Sequence, residues 1–159
     1  MTQWDFNWNL PLPSGGKALA SGFVAGGYNN WAATCAALGK QKRLPAEQAA
    51  TADLLMHFGR LIGNTDMHSG NLGLFVDQDD GWRKGRFKLA PAYDMLSMRW
   101  RPDPVAGGAA DYSPFELNML SAAGPARPLA RQFWAALAEH PQVSADLRRV
   151  SAVMAERLG

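Results

Sequence analysis

The chain is poor in cysteine, in long apolar runs and in excess charge of either sign, and each scarcity excludes a class of protein. Cys35 is the one cysteine among 159 residues, which excludes an internal disulfide framework and a cysteine-rich zinc site. No apolar run approaches the ~20 residues that a membrane-spanning helix needs. The start, Met1–Asp5, has neither the basic residues nor the apolar centre of a signal peptide. We therefore expect a soluble, cytoplasmic protein with no membrane partner.

The charge of the chain is small and spread out. Lys and Arg number 16 and Asp and Glu number 14, which gives a net charge of +2. The basic stretches Lys40–Arg43 and Arg148–Arg149 are interpreted as solvated helix ends, so no direct nucleic-acid partner is expected. The composition, 47% hydrophobic and 19% charged, is typical of a globular protein, and the length indicates a single domain over 1–159.

Apolar spacing and capping residues predict a domain that is mainly α-helical with one small β-hairpin. The chain is expected to start with a loop-rich lead-in over 1–28. Two helices follow: one over Trp31–Leu38, capped by Asn29 or Asn30, and one from Pro45 to about Ile62, stopped by Gly63. A hairpin over about 72–89 and C-terminal helices within about 114–158 complete the prediction. The C-terminal helices are expected to start at Pro114–Leu117, at Pro128 and at Ser144.

Two loops carry the residues that suggest chemistry. The first, over 63–71, contains Asp66, His68 and Asn71, and the second, over 90–97, contains Asp94. Because the hairpin joins the two loops, we expect it to bring Asp94 back beside Asp66 and Asn71.

This set of side chains matches the needs of phosphoryl transfer. A carboxylate at Asp66 can accept the proton of an attacking serine or threonine hydroxyl. The amide oxygen of Asn71 and the carboxylate of Asp94 are ligands that magnesium accepts. His68, between base and ligand, can hydrogen-bond to either and fix the loop. Each residue alone is unremarkable, since a lone Asp after a helix is usually a turn residue; the compound pattern is what favours the hypothesis.

The two segments Gly63–Asn71 and Leu89–Ser97 resemble the C-terminal domain of HipA-like serine/threonine kinases, which include the toxin kinases of bacterial toxin–antitoxin pairs. The resemblance implies a protein-kinase-like C-terminal lobe, mainly helical, with ATP and Mg²⁺ as cofactors. By position, Asp66 matches the catalytic aspartate and His68 the histidine of the catalytic loop. Asn71 matches a magnesium ligand, and Asp94 matches the metal-binding aspartate that corresponds to the Asp of a kinase Asp-Phe-Gly motif.

The resemblance also implies partners. The substrate would be a protein hydroxyl, with translation proteins such as aminoacyl-tRNA synthetases as the best guess. An antitoxin, or a DNA-binding segment like those of related transcriptional regulators, would lie outside this chain. About 60 residues precede the catalytic loop, and Ser14–Lys17 lacks the spacing of a phosphate-binding loop. We therefore expect a C-terminal piece that is inactive as a kinase by itself.

Three alternatives stay open. A small-molecule phosphotransferase of the aminoglycoside or choline kinase kind would share the first loop, but Ala90–Tyr93 before Asp94 favours the HipA-like interpretation. A non-catalytic regulatory or interaction domain would need no nucleotide-binding lobe. A metal-dependent hydrolase would need Asp66, His68 and His57 as ligands, and a helical His57 is a poor match to a loop site.

Overall fold

The computed structural model describes the backbone of residues 3–5 and residues 30–76, 85–101 and 111–159. Most of the predicted lead-in over 1–28, the segment Ser14–Lys17 and the middle of the predicted hairpin, residues 77–84, lie outside the described residues. In chain order the elements are β1 (Gln3–Asp5), α1 (Trp31–Lys40), α2 (Ala46–Leu61), β2 (Gly73–Val76), β3 (Phe87–Leu89), α3 (Met119–Ala122), α4 (Ala126–Glu139) and α5 (Ala145–Arg157).

The chain forms two compact units. The sheet unit comprises Met1–Met56 and Asp66–Asp94, and the helical unit comprises His57–Thr65 and Met95–Gly159. The four candidate residues, Asp66, His68, Asn71 and Asp94, therefore all fall in the sheet unit.

Helices α1 and α2 begin where local chemistry predicts, and α2 also ends there, but α1 runs through Gly39 to Lys40, two residues past its predicted end at Leu38. Asn30 caps α1, because its side chain accepts a hydrogen bond from the Ala33 amide at 3.0 Å. Pro45 precedes the first residue of α2, where a missing amide hydrogen costs nothing. Gly63, with φ at +72°, follows the end of α2 in the left-handed region that favours glycine.

The predicted hairpin is confirmed, with strands shorter than expected. β2 and β3 pair antiparallel with Leu74 opposite Leu89, and the ladder continues through a bond from the Ala90 amide to the Gly73 carbonyl at 3.0 Å. A third strand, β1, pairs antiparallel with the other side of β2, so the sheet order is β1-β2-β3. The hairpin thus joins the end of one predicted loop to the start of the other.

The outer edge of β3 is covered by the turn and helix that precede the site. The Phe87 amide donates to the Arg43 carbonyl at 2.7 Å, and the Leu89 amide donates to Oε1 of Gln48 at 2.6 Å. Both outward-facing amides of this edge strand are therefore satisfied by α2 and the turn before it.

The helical unit is built on an aromatic cluster. Trp134 of α4 is fully buried, and its indole nitrogen donates to the Leu61 carbonyl at 3.1 Å. Around it lie Trp100 and Phe133, with ring centroids 5.7 and 5.1 Å away. Helices α4 and α5 pack against each other and start close to the predicted positions.

The helix predicted to start at Pro114–Leu117 is wrong. Residues 111–118 form no regular secondary structure, and α3 begins at Met119. Asn118 caps α3, since its Oδ1 accepts from the Ser121 amide at 2.9 Å. Phe115 is instead held in the aromatic cluster, and its carbonyl accepts from Arg157 at 3.0 Å. Tertiary contacts of Phe115 therefore outweigh the weak local preference for helix.

Within the described ranges, no helix is long and apolar enough to cross a membrane.

Candidate functional site

The first candidate loop, residues 63–71, starts at the glycine that follows α2 and finishes in a single 3-10 turn over Ser69–Asn71. A Cβ on Gly63 would lie 3.0 Å from the Phe115 ring, in addition to the unfavourable φ. Position 63 therefore requires glycine on two grounds, and the chain leaves the helix there in a defined direction.

The start of α1 holds the middle of the loop. The indole nitrogen of Trp31 donates to the His68 carbonyl at 2.9 Å, and Asn30 forms an isolated antiparallel bridge with His68. The Trp31 side chain is 3% exposed, so this bond is shielded from water. The main chain at His68 is thus attached to the capped end of a ten-residue helix.

Asp66 and Asn71 are brought together as predicted for this pair. Nδ2 of Asn71 donates to Oδ2 of Asp66 at 2.8 Å and to the Asp66 carbonyl at 3.0 Å. Both bonds use the amide nitrogen, so neither occupies Oδ1 of Asn71.

His68 contacts the other carboxylate oxygen. Its Nε2 lies 3.1 Å from Oδ1 of Asp66, and its Nδ1 accepts from the Gly70 amide at 3.0 Å. Each oxygen of the Asp66 carboxylate therefore has a partner within its own loop. The side chains of Asp66 and His68 are 43% and 57% exposed, so the group remains accessible to a substrate from solution.

Gly70 is needed for a reason that the sequence did not reveal. A Cβ at this position would lie 2.7 Å from Cε1 and 2.8 Å from Nδ1 of His68. The glycine therefore permits the close approach of the imidazole ring, which a side chain here would obstruct.

Asp94 has a left-handed backbone, with φ at +53°, in the exposed stretch after β3. Few residues other than glycine adopt this region, and Asp and Asn are those that tolerate it best. It belongs to the same compact unit as Asp66 and Asn71. The convergence of its carboxylate on that pair stays a prediction.

The donor set suits magnesium. Oδ1 of Asn71 and the Asp94 carboxylate are hard oxygen donors, and Mg²⁺ in phosphoryl-transfer sites commonly takes one or two protein ligands besides water and substrate phosphates. Within residues 30–76, 85–101 and 111–159, no three His, Cys, Asp or Glu side chains form a group that could hold a metal ion. The described part of the chain therefore lacks the three-ligand site of the metal-dependent hydrolase. His57 instead bonds to Oγ of Ser121 at 2.8 Å.

Cys35 takes no part in this chemistry. It is fully buried in α1, and burial raises the pKa of its thiol to about 12. A thiol that stays protonated is a poor nucleophile, so Cys35 packs as a small apolar side chain.

Sequence reasoning missed Trp31. An indole nitrogen that bonds a carbonyl 37 positions later leaves no local pattern, because neither the spacing nor the residue type marks the pair. The one available signal was a large aromatic residue directly after an N-cap asparagine.

Comparison with known proteins identifies the class to which this loop belongs. The model of the HipA-like C-terminal domain matches residues 3–157, and the chain belongs to that family. The chain is similar to Toxin YjjJ of Escherichia coli (strain K12), with 32% identity over 145 residues. That match covers 89% of this chain and 31% of the relative, so the chain spans about a third of the length of the relative it matches. No solved structure matches the chain.

Proposed function

We propose that the chain is the catalytic-loop lobe of a HipA-like, ATP-dependent serine/threonine protein kinase, with the fold of a protein-kinase C-terminal lobe. The observation that carries the proposal is the Asp66 carboxylate, whose Oδ2 accepts from Asn71, whose Oδ1 lies 3.1 Å from Nε2 of His68, and which remains partly exposed. A base for a hydroxyl needs both a fixed direction and access to its substrate.

Each residue has a role in this proposal. Asp66 orients the attacking hydroxyl and accepts its proton. Asn71 directs Oδ1 away from Asp66, because its nitrogen is engaged there. Asn71 and Asp94 would hold Mg²⁺ and, through it, the nucleotide phosphates; when bound, ATP supplies the phosphoryl group and the metal neutralises its charge.

The substrate class and partners come from the family and its relatives. Membership of the HipA-like family and a relative named as a toxin favour a protein hydroxyl over a small molecule as the acceptor. We propose a protein involved in translation as the substrate and an antitoxin or DNA-binding segment outside this chain as the regulator.

Substitution of Asp66 by Asn tests the function. The change keeps the size of the side chain but removes the proton acceptor, and it places an amide nitrogen against either His68 or Asn71, so one loop hydrogen bond is lost. We expect transfer of labelled γ-phosphate to protein to fall by at least roughly a hundredfold. We expect the fold and most nucleotide binding to remain, with a loss of about 1 kcal/mol in the free energy of unfolding.

The assay uses the protein that carries this domain, expressed with whatever flanking sequence its gene encodes. Asp111→Asn is the matched control, because Asp111 is an exposed carboxylate of the helical unit. This variant should transfer phosphate at the wild-type rate. Unchanged transfer by Asp66→Asn would show that Asp66 is not the base. Absence of transfer by the wild type would favour the non-catalytic regulatory domain.

A further inference from the structure

We propose that Trp31 and His68 are positioning residues that set the orientation of the Asp66 carboxylate, with Trp31 fixing the main chain at His68 and the His68 ring fixing Asp66. The inference rests on the kinase function proposed above only for its effect on turnover; the arrangement itself can be tested without activity.

First, Trp31 connects the start of α1 to the loop over 63–71. Trp31 is buried at the start of α1, and its indole N–H bonds to the His68 carbonyl at 2.9 Å. Asn30 and His68 also pair through an isolated antiparallel β-bridge. Two consecutive residues of a capped helix start therefore restrict the backbone from which the His68 ring projects.

The second step is the ring itself, whose tautomer follows from its two contacts. The Gly70 amide can only donate, so Nδ1, at 3.0 Å, must carry the lone pair. The proton of the neutral ring is then on Nε2, which faces Oδ1 of Asp66 at 3.1 Å and donates to it. The opposite tautomer would place two donors against each other at Gly70 and a lone pair against a carboxylate at Asp66.

The third step is the carboxylate. With Oδ1 bonded to His68 and Oδ2 bonded to Asn71, rotation of the Asp66 carboxylate would break a hydrogen bond on each side. Gly70 makes the ring position possible, since any Cβ there would displace the imidazole. The loop therefore holds its acid by a pair of donors, one of which depends on a distant tryptophan.

Trp31→Phe is the first test, because it keeps an aromatic ring and removes the N–H donor, together with part of the buried ring system. Long-range ¹H–¹⁵N spectra of the labelled chain, in buffer alkaline enough to leave imidazoles neutral, report the tautomer of His68, and amide exchange reports the Gly70 bond. The wild type should show an Nε2–H ring and a protected Gly70 amide. Trp31→Phe should speed Gly70 exchange by about tenfold or more, as expected for the loss of a shielded bond.

Trp134→Phe is the matched control, since it also removes an indole N–H bond to a backbone carbonyl, that of Leu61 at 3.1 Å. It should lower overall stability but leave the tautomer of His68 and the Gly70 exchange rate relative to other loop amides unchanged. Gly70→Ala is a second variant that displaces the ring without touching Trp31, and it covers the case in which Trp31→Phe does not fold.

Two substitutions of His68 separate positioning from general stabilisation. The amide nitrogen of Gln occupies nearly the place of Nε2 and can donate to Asp66, whereas the amide oxygen of Asn occupies nearly the place of Nδ1 and can accept from Gly70. We expect His68→Gln to retain more phosphoryl transfer than His68→Asn, and His68→Asn to retain the better protected Gly70 amide. The lower transfer rates should appear in kcat, by up to roughly a hundredfold, with KM for ATP little changed.

The outcomes are separable. An Nδ1–H ring in the wild type, or wild-type Gly70 protection in both Trp31→Phe and Gly70→Ala, overturns the inference even if the protein is a kinase. A wild-type protein that transfers no phosphate overturns the proposed function and leaves the spectroscopic result standing. Equal transfer by His68→Gln and His68→Asn would show that His68 does not orient Asp66.

Discussion

At the scale of single residues, Asp94 combines a charge with an uncommon backbone conformation. Its φ of +53° is one that Asn tolerates and Ala does not. In the protein that carries this domain, we expect both Asp94→Asn and Asp94→Ala to weaken magnesium-dependent nucleotide binding, because each removes a charged ligand. Asp94→Ala should also lower the free energy of unfolding by about 1–2 kcal/mol more than Asp94→Asn does, because of the left-handed backbone.

Nucleotide titrations with and without magnesium, together with urea unfolding of the two variants, measure these effects. Magnesium-dependent binding equal to wild type in both variants would remove Asp94 from the metal site. Equal stability of the two would show that the left-handed backbone costs alanine nothing here.

Burial of the Cys35 thiol makes the free energy of unfolding depend on pH. Its ordinary pKa of 9.0 is raised to about 12 by burial. Between these values the folded state binds more protons than the unfolded state, so the free energy of unfolding falls as pH rises, by at most about 1.4 kcal/mol per pH unit. Below pH 9 this contribution is constant.

The measurement is urea unfolding below and above pH 9 for the wild type and Cys35→Ala. The variant has lower stability throughout because it leaves a cavity, so the slopes are compared rather than the values. We expect the steeper fall above pH 9 in the wild type, and parallel slopes would show that the thiol ionises without hindrance.

At the scale of elements, the end of α2 depends on one glycine. Gly63→Ala should destabilise the fold by about 1–2 kcal/mol or more, since alanine is strained at this φ and its Cβ would meet Phe115. Gly124→Ala is the matched control, because a Cβ there meets nothing closer than the Ser121 carbonyl, at an ordinary 3.5 Å. Thermal unfolding of both variants tests this; equal melting temperatures would mean that the loop relaxes at no cost.

Local chemistry explains which elements could be predicted. The cap at Asn30, the glycine after α2 and the hairpin composition all act within a few residues, and each prediction was confirmed. Two features join residues far apart in sequence, and no local pattern predicts them: the pairing of β1 with β2 and the hydrogen bond from Trp31 to His68. The same holds for Phe115, whose long-range contacts overrode its local helix preference.

The candidate site also has features that the local sequence predicts and features that only the folded structure defines. The residue types and spacing of Asp66, His68 and Asn71 were sufficient to select them as candidates, and the structure brings their side chains together in one loop. Their catalytic and metal-binding roles stay predictions. The direction of each hydrogen bond was not predictable, since it depends on side-chain rotation that only the folded loop defines. His68 as a link between Trp31 and Asp66 emerges only from that geometry.

At the scale of the whole molecule, we predict that the 159-residue chain binds ATP–Mg²⁺ weakly and does not autophosphorylate. Asp66 is 43% exposed and Asp94 is also exposed, so their charges are screened by water and attract a bound metal less than they would in a closed cleft. Calorimetric titration with ATP and magnesium should show no saturable heat in the micromolar range. Micromolar affinity together with autophosphorylation would show that this chain already contains a closed nucleotide site.

The coverage of β3 by Arg43 and Gln48 also bears on how the protein behaves at high concentration. An open edge strand can recruit a strand from another molecule and start a growing intermolecular sheet. Here the two outward amides of β3 already have acceptors within the same chain, one of them the side chain of Gln48. Gln48→Ala would remove the side-chain oxygen that accepts from the Leu89 amide, and that amide would then face outward without its acceptor. We expect aggregation of this variant to begin at the edge of β3.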